Sequence, residues 1–156
     1  MKTPEHIERE KGAPEWVRPN IAGETGELKR VLTNFLGKSQ DVESVSALAK
    51  ILENAPVVEL SDEDWELLEN TDSFDKVKPG EIEKAREICE EYNKELDSDT
   101  QRDFHGLLEN FYKGSKMECP MILKNQEGKL HLVSGNTRLM IARALGVRPE
   151  VIIAQL

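Results

Sequence analysis

Residues 130–146, LHLVSGNTRLMIARALG, constrain the fold more than any other part of the chain. Leu130–Ser134 reads as a strand, Ser134–Arg138 as a sharp polar turn with one glycine, and Thr137–Leu145 as a short helix closed by Gly146. A strand that turns directly into a helix puts the turn at the helix N-terminus. There the first backbone N–H groups lack internal partners and carry the positive end of the dipole. Gly135, having no Cβ, lets backbone approach a ligand closely. Asn136 and Thr137 can cap the helix or donate to a phosphate oxygen, and Arg138 adds a planar positive fork that matches phosphate. The same residues therefore suit an ordinary helix cap or an anion cradle. Their spacing leaves both open, and no G-x-x-x-x-G-K-[ST] loop occurs anywhere in the chain.

The flanking sequence places this turn in a sheet. Met121–Lys124 is a short apolar run after Pro120, Asn125-Gln126-Glu127-Gly128 reads as a hairpin turn, and Val151–Leu156 is a β-branched strand. The order helix, hairpin, helix, strand implies a small mixed sheet covered by helices. The fold class is α+β or α/β, and the sequence does not rank the two.

Everything between residues 24 and 115 reads as helical scaffolding. Leu28, Val31, Leu32, Phe35 and Leu36 mark one amphipathic helix closed by Gly37. Val45, Leu48, Ala49 and Leu52 mark a second, capped by Asp41 or Ser44. Pro56 breaks the chain before the apolar stretch Val57–Leu60, and Ser61 with Asp64 resembles a capping box with Trp65 and Leu68 inward. Asp72–Gly80 reads as a polar loop, and Asp97–Thr100 as a turn. Between these two, Ile82, Ala85, Cys89, Tyr92 and Leu96 predict a helix from about Pro79 to Leu96. Phe104, Leu107, Leu108, Phe111 and Tyr112 predict another, ended by Gly114. Residues 1–23 form an irregular arm with a short helix near Glu5–Lys11, pinned to the body by Trp16 and Val17. The expected organisation is thus an arm (1–23), a helical part (24–98) and a sheet-bearing part (99–156), the last two in one compact unit.

Charge narrows the choice of partner. The net charge is −9, yet from Lys116 onward six Lys or Arg face three Glu, a balance of +3 that leaves −12 on residues 1–115. Such an acidic surface works against long-range attraction to DNA or an anionic membrane. No transmembrane run or signal peptide is visible, so a cytoplasmic location is expected. Cys89 and Cys119 make neither a disulfide framework nor a zinc site, and Cys89 reads as a small buried hydrophobe. No metal ligand set is expected.

Pro120–Val151, with its strand–GNTR–helix–Gly146–Val147–Pro149–strand order, resembles the ParB/sulfiredoxin superfamily. Cys119-Pro120 stands where that family has Gln-Pro, Gly135-Asn136-Thr137-Arg138 stands for its G-x-x-R box, and Ala142 and Gly146 fall in register. The helix over Asp103–Tyr112 is similar to the one the family places before its first strand. The resemblance covers about residues 100–156 and implies phosphate contacts at Gly135 and Arg138 with Thr137 as a further donor; with Ser134 and Asn136 from the turn itself, the expected phosphate site is Ser134, Gly135, Asn136, Thr137 and Arg138. It also excludes two activities. Sulfiredoxins carry their reactive cysteine at the position of Asn136, and ParB CTPases carry there an acid that helps hold a metal. A third branch, the free serine kinases, agrees at Gly135, Thr137 and Arg138. Its Lys-Pro loop resembles Lys78-Pro79-Gly80-Glu81, which makes Glu81 a candidate general base. Cys119 and His131 are candidate pocket residues beside the turn.

The functional expectation is a nucleotide-binding protein that takes ATP, ADP or CTP, with or without Mg²⁺, and hydrolyses it or transfers a phosphoryl group. One alternative is a non-catalytic phage or mobile-element regulator whose acidic helical part binds a protein partner. Another is a DNA-binding protein or nuclease using Lys124, Lys129, Arg138, Arg143 and Arg148.

Overall fold

The computed structural model describes residues 14–68, 77–98 and 101–156. The short helix expected near residues 5–11 lies outside them, as do residues 72–76 of the polar loop and the end of the turn at 97–100. Among the described residues the chain is a mixed α+β fold. β1 (Glu15–Val17) is followed by a 3-10 turn (Ile21–Glu24), α1 (Thr25–Asn34), α2 (Val42–Asn54), β2 (Val57–Glu59) and α3 (Asp62–Leu67). Then come α4 (Ile82–Asn93), α5 (Phe104–Lys113), β3 (Lys116–Glu118), β4 (Met121–Lys124), β5 (Leu130–Ser134), α6 (Asn136–Leu145) and β6 (Glu150–Gln155).

Four strands form the main sheet in the order β2-β6-β4-β5. β4 and β5 are an antiparallel hairpin, with Ile122 opposite Leu132 and Leu123 opposite His131. β6 then adds parallel to β4, with Ile122 opposite Ile153. β5 and β6 lie on either side of β4, so no tight turn can join them and the chain crosses over through α6. β2 closes the far side of β6 antiparallel. The stretch Val57–Leu60 thus supplies an edge strand whose three residues are exposed, followed by Leu60, which is buried.

The period-two alternation of the strands sorts side chains onto two faces. Met121, Leu123, Val133, Ile152 and Ala154 point to one side and pack against Leu28, Val31 and Leu32 of α1 and Leu48 and Leu52 of α2. Ile122, Leu130, Leu132 and Val151 point to the other and meet Leu139 of α6 together with Leu60 and Leu68. α6 is covered in turn: Met140, Ile141, Ala142 and Ala144 pack against Ala85 and Cys89 of α4 and Phe104 and Phe111 of α5. α6 is therefore a core helix with neighbours on several sides, and its N-terminus is held in place from each of them.

A second, two-stranded sheet was not legible as strands. β1 runs parallel to β3, with Trp16 opposite Met117. Trp16 also meets the Phe111 ring edge-on, with centroids 5.7 Å apart and planes at 78°. The arm is anchored through the tryptophan, as expected, but by backbone pairing as well.

Candidate functional site

All five residues of Ser134–Arg138 come together with the start of α1. Ser134 ends β5, and Gly135 is the N-cap of α6 in the left-handed region at φ 98°. The first helical bond runs from the Leu139 N–H to the Gly135 carbonyl at 2.9 Å. Asn136, Thr137 and Arg138 are therefore the first three helical residues, and no side chain caps the helix. The capping reading of Asn136 and Thr137 is not what the fold does with them.

Both side chains are instead buried with nothing to bond. Asn136 and Thr137 are each 5% exposed. Neither amide atom of Asn136, nor Thr137 Oγ1, nor Ser134 Oγ has a hydrogen-bond partner among the described residues. Buried polar atoms are paired in the great majority of cases, and each one left over costs about 1–3 kcal/mol. Four of them at one uncapped helix N-terminus is a large outlay for a merely structural turn.

These residues line a cavity of about 230 Å³ together with Glu24, Glu27, Arg30 and Arg102. Arg138 Nη1 donates to the carbonyl of Glu118, which fixes the guanidinium beside the turn. Burial lowers the pKa of Arg138, and the carboxylates of Glu118 and Glu24 act against that, so the guanidinium stays charged. Burial raises the pKa of Glu24 from its ordinary value, while Arg138 pulls it down and Glu27 and Glu118 add to the rise. Glu27 is joined to Arg30 at 2.5 Å. The site thus sets an open helix terminus and guanidinium groups against two carboxylates.

Gly135 proves to be required for a reason other than ligand approach. A Cβ at this position would lie 2.9 Å from both Cα and Cβ of Pro120, so the glycine makes room for the neighbouring strand's entry. Three further candidates are not in the cavity. Glu81 lies by the other end of α6: Gly80 N–H donates to the Ala144 carbonyl at 2.7 Å, and Glu81 Oε1 accepts from the Lys78 N–H at 2.7 Å. Cys119 is fully buried in the core between the sheet and α1–α2, and desolvation pushes its thiol up to about 11. His131 stacks on Phe35, with ring centroids 4.4 Å apart and planes at 15°.

The basic set considered for DNA does not form one surface. Arg143 is 3% exposed and its Nη2 donates to the carbonyls of Trp65 and Leu68 at 2.9 and 3.3 Å. Arg148 is spent on the Leu60 carbonyl at 2.8 Å and on Asp62. Lys124 and Lys129 flank the β4–β5 turn, at the end of β5 away from Ser134.

Sequence reading missed Glu24, Glu27, Arg30 and Arg102, all of them charged residues on helical or loop segments without a local motif. The signal was weak: Glu24 and Glu27 precede the apolar period of α1 as ordinary first-turn acids would. Among the described residues no group of three or more His, Cys, Asp or Glu side chains is placed to hold a metal ion, and no helix is long and apolar enough to cross a membrane. No family model, no curated protein and no solved structure matches this chain.

Proposed function

We propose that the chain binds a nucleotide by its phosphates at Ser134–Arg138, and that the site serves nucleotide hydrolysis or phosphoryl transfer. The observation that carries the reading is the uncapped N-terminus of α6 with four orphaned polar atoms around it and the Arg138 guanidinium beside it. Backbone N–H groups at such a terminus point outward with the positive dipole behind them, which suits a phosphate oxygen. The hydroxyls of Ser134 and Thr137 and the amide of Asn136 supply the remaining donors, and Arg138 supplies full charge. In phosphoryl transfer most of the catalytic work is positioning and neutralising charge on the equatorial oxygens, which this set of groups can do.

The size of the cavity limits what is enclosed. At about 230 Å³ it is below the ~300–1,000 Å³ of ordinary small-molecule sites, so it holds the phosphate end and leaves the nucleoside toward solvent. The described residues present no metal cage of their own, so phosphate contacts carry the reading.

Calorimetric titration with ATP, ADP and CTP, each with and without Mg²⁺, tests it. Binding to the wild type, lost in Arg138→Gln with the circular dichroism spectrum unchanged, is the expected result. No heat of binding from any of the three nucleotides under either condition overturns the reading.

A further inference from the structure

Glu24 is a carboxylate on the wall of a pocket built for an anion. It closes the 3-10 turn just before α1 and lines the same cavity as Ser134, Asn136, Thr137 and Arg138. Its charged surroundings come from every element around it: Arg138 on α6, Glu118 on β3, Glu27 and Arg30 on α1, and Arg102 ahead of α5. Its carboxylate makes no capping bond to the helix that follows it. Arg138 is the cation it acts on most strongly, and Arg138 is also the cation an incoming phosphate needs.

An anion entering this pocket must therefore share Arg138 with Glu24. Two negative charges a few ångströms apart in a partly desolvated pocket repel strongly, and such pairs resolve by taking up a proton. Glu24 is already displaced in that direction by burial and by its two acidic neighbours. Once protonated, its carboxyl carries no charge and has one O–H to donate, which a terminal phosphate oxygen accepts.

We infer that this site takes its oxyanion together with one proton, held on Glu24, so that its ligands are those with a terminal tetrahedral oxyanion able to accept a carboxyl O–H. The inference rests on the phosphate reading above. The proton comes from solvent, no bond other than O–H is made or broken, and the affinity falls as pH rises through the titration of Glu24. Replacing the carboxylate by an amide keeps a donor in place, removes the competing charge and removes the pH dependence.

Sulfate is the probe, because it stays doubly charged from about pH 5 to about pH 8 while a phosphate ester does not. Expected for the wild type is a fall in sulfate affinity of on the order of fivefold or more over that range. Calorimetry in two buffers of different ionisation heat should show proton uptake on binding. Glu24→Gln should bind sulfate with no pH slope and no proton uptake, and Glu53→Gln, an exposed acid on α2 outside the cavity, should keep the wild-type slope. A flat wild-type profile, or a slope that survives in Glu24→Gln, overturns the inference while leaving the phosphate reading standing. Failure of sulfate, phosphate and nucleotide to bind at any pH removes both.

Discussion

Gly135 and Pro120 are packed so closely that a single added carbon at Gly135 would stand 2.9 Å from the proline's Cα and Cβ. This contact locks the start of α6 onto the start of β4, whose neighbour β6 is tied to the same proline by the Ile152 N–H donating to the Pro120 carbonyl at 3.0 Å. Gly135→Ala meets two penalties at once: a left-handed backbone at φ 98°, and overlap with backbone that cannot swing away. Together these should cost about 2–4 kcal/mol, read as a lower urea midpoint with unchanged slope. Pro120→Ala should not rescue it, because the proline's Cα and Cβ both persist in alanine. Full recovery of stability in that double variant would show that the clash is not the cause.

Thr137 separates binding from stability. Its hydroxyl is buried without a partner, so Thr137→Val removes an unpaired polar atom while nearly keeping the shape. Stability without ligand should stay equal or rise by up to about 1 kcal/mol, whereas affinity for nucleotide or phosphate should fall several-fold. Thermal unfolding alone and calorimetric titration give the two readings. A loss of stability with no change in affinity would mean that the hydroxyl serves the fold rather than a ligand.

The C-terminal third was legible because its signals are local. β5 begins and ends where the apolar alternation of Leu130–Ser134 does, α5 is capped by Asp103, whose Oδ1 accepts from the Gly106 N–H at 3.0 Å, and Gly114 and Gly146 close α5 and α6 in left-handed geometry. Ser61 likewise accepts from the Asp64 N–H at 3.1 Å as its capping pattern predicts. β1 and β3 were not legible, since each has three residues and owes its existence to a partner about a hundred positions away. For the site, the sequence supplied the turn but not the wall. Glu24 and Arg102 reach the cavity only because α1 packs against β5 and α5 against α6, and no spacing in the chain encodes that. Glu81 shows the converse: it sits in a loop with a suggestive pattern, yet its carboxylate is occupied by the Lys78 N–H near the opposite end of α6.

Cys119 makes alkaline stability depend on the charge state of its thiol. Burial in the core raises it from 9.0 to about 11 in the folded protein. Below the unfolded value both states hold the proton and nothing changes with pH. Between the two values the unfolded chain ionises first, so stability falls as pH rises from about 9 to about 11, by on the order of 1–2 kcal/mol. Cys119→Ala should start lower, by about 1 kcal/mol for the lost packing, but should lose less between those two pH values. Urea titrations at several alkaline pH values measure the difference, and equal slopes in both proteins would remove Cys119 as the source. In the folded protein the thiol should also resist a disulfide reagent near neutral pH until denaturant is added.

Trp65 lies under two guanidinium groups that the fold uses very differently. Arg143 stands 5.8 Å and Arg148 5.2 Å from its ring centroid. Arg143 is buried, and burial lowers its pKa to about 10, yet its Nη2 is what satisfies the carbonyls of Trp65 and Leu68. Arg148 is about a third exposed and pairs with Asp62, whose side chain is 87% exposed. Truncating Arg143 leaves two carbonyls without their donor and opens space beside α6, and relief of a buried charge offsets only part of that. Arg143→Ala should therefore cost about 2–3 kcal/mol. Arg148→Ala gives up an exposed ion pair, one ring contact and one bond to the Leu60 carbonyl that water can replace, about 1 kcal/mol or less. Urea unfolding followed by tryptophan fluorescence ranks the two, and equal losses would show that the ring contact, common to both arginines, matters more than the carbonyl bonds of Arg143.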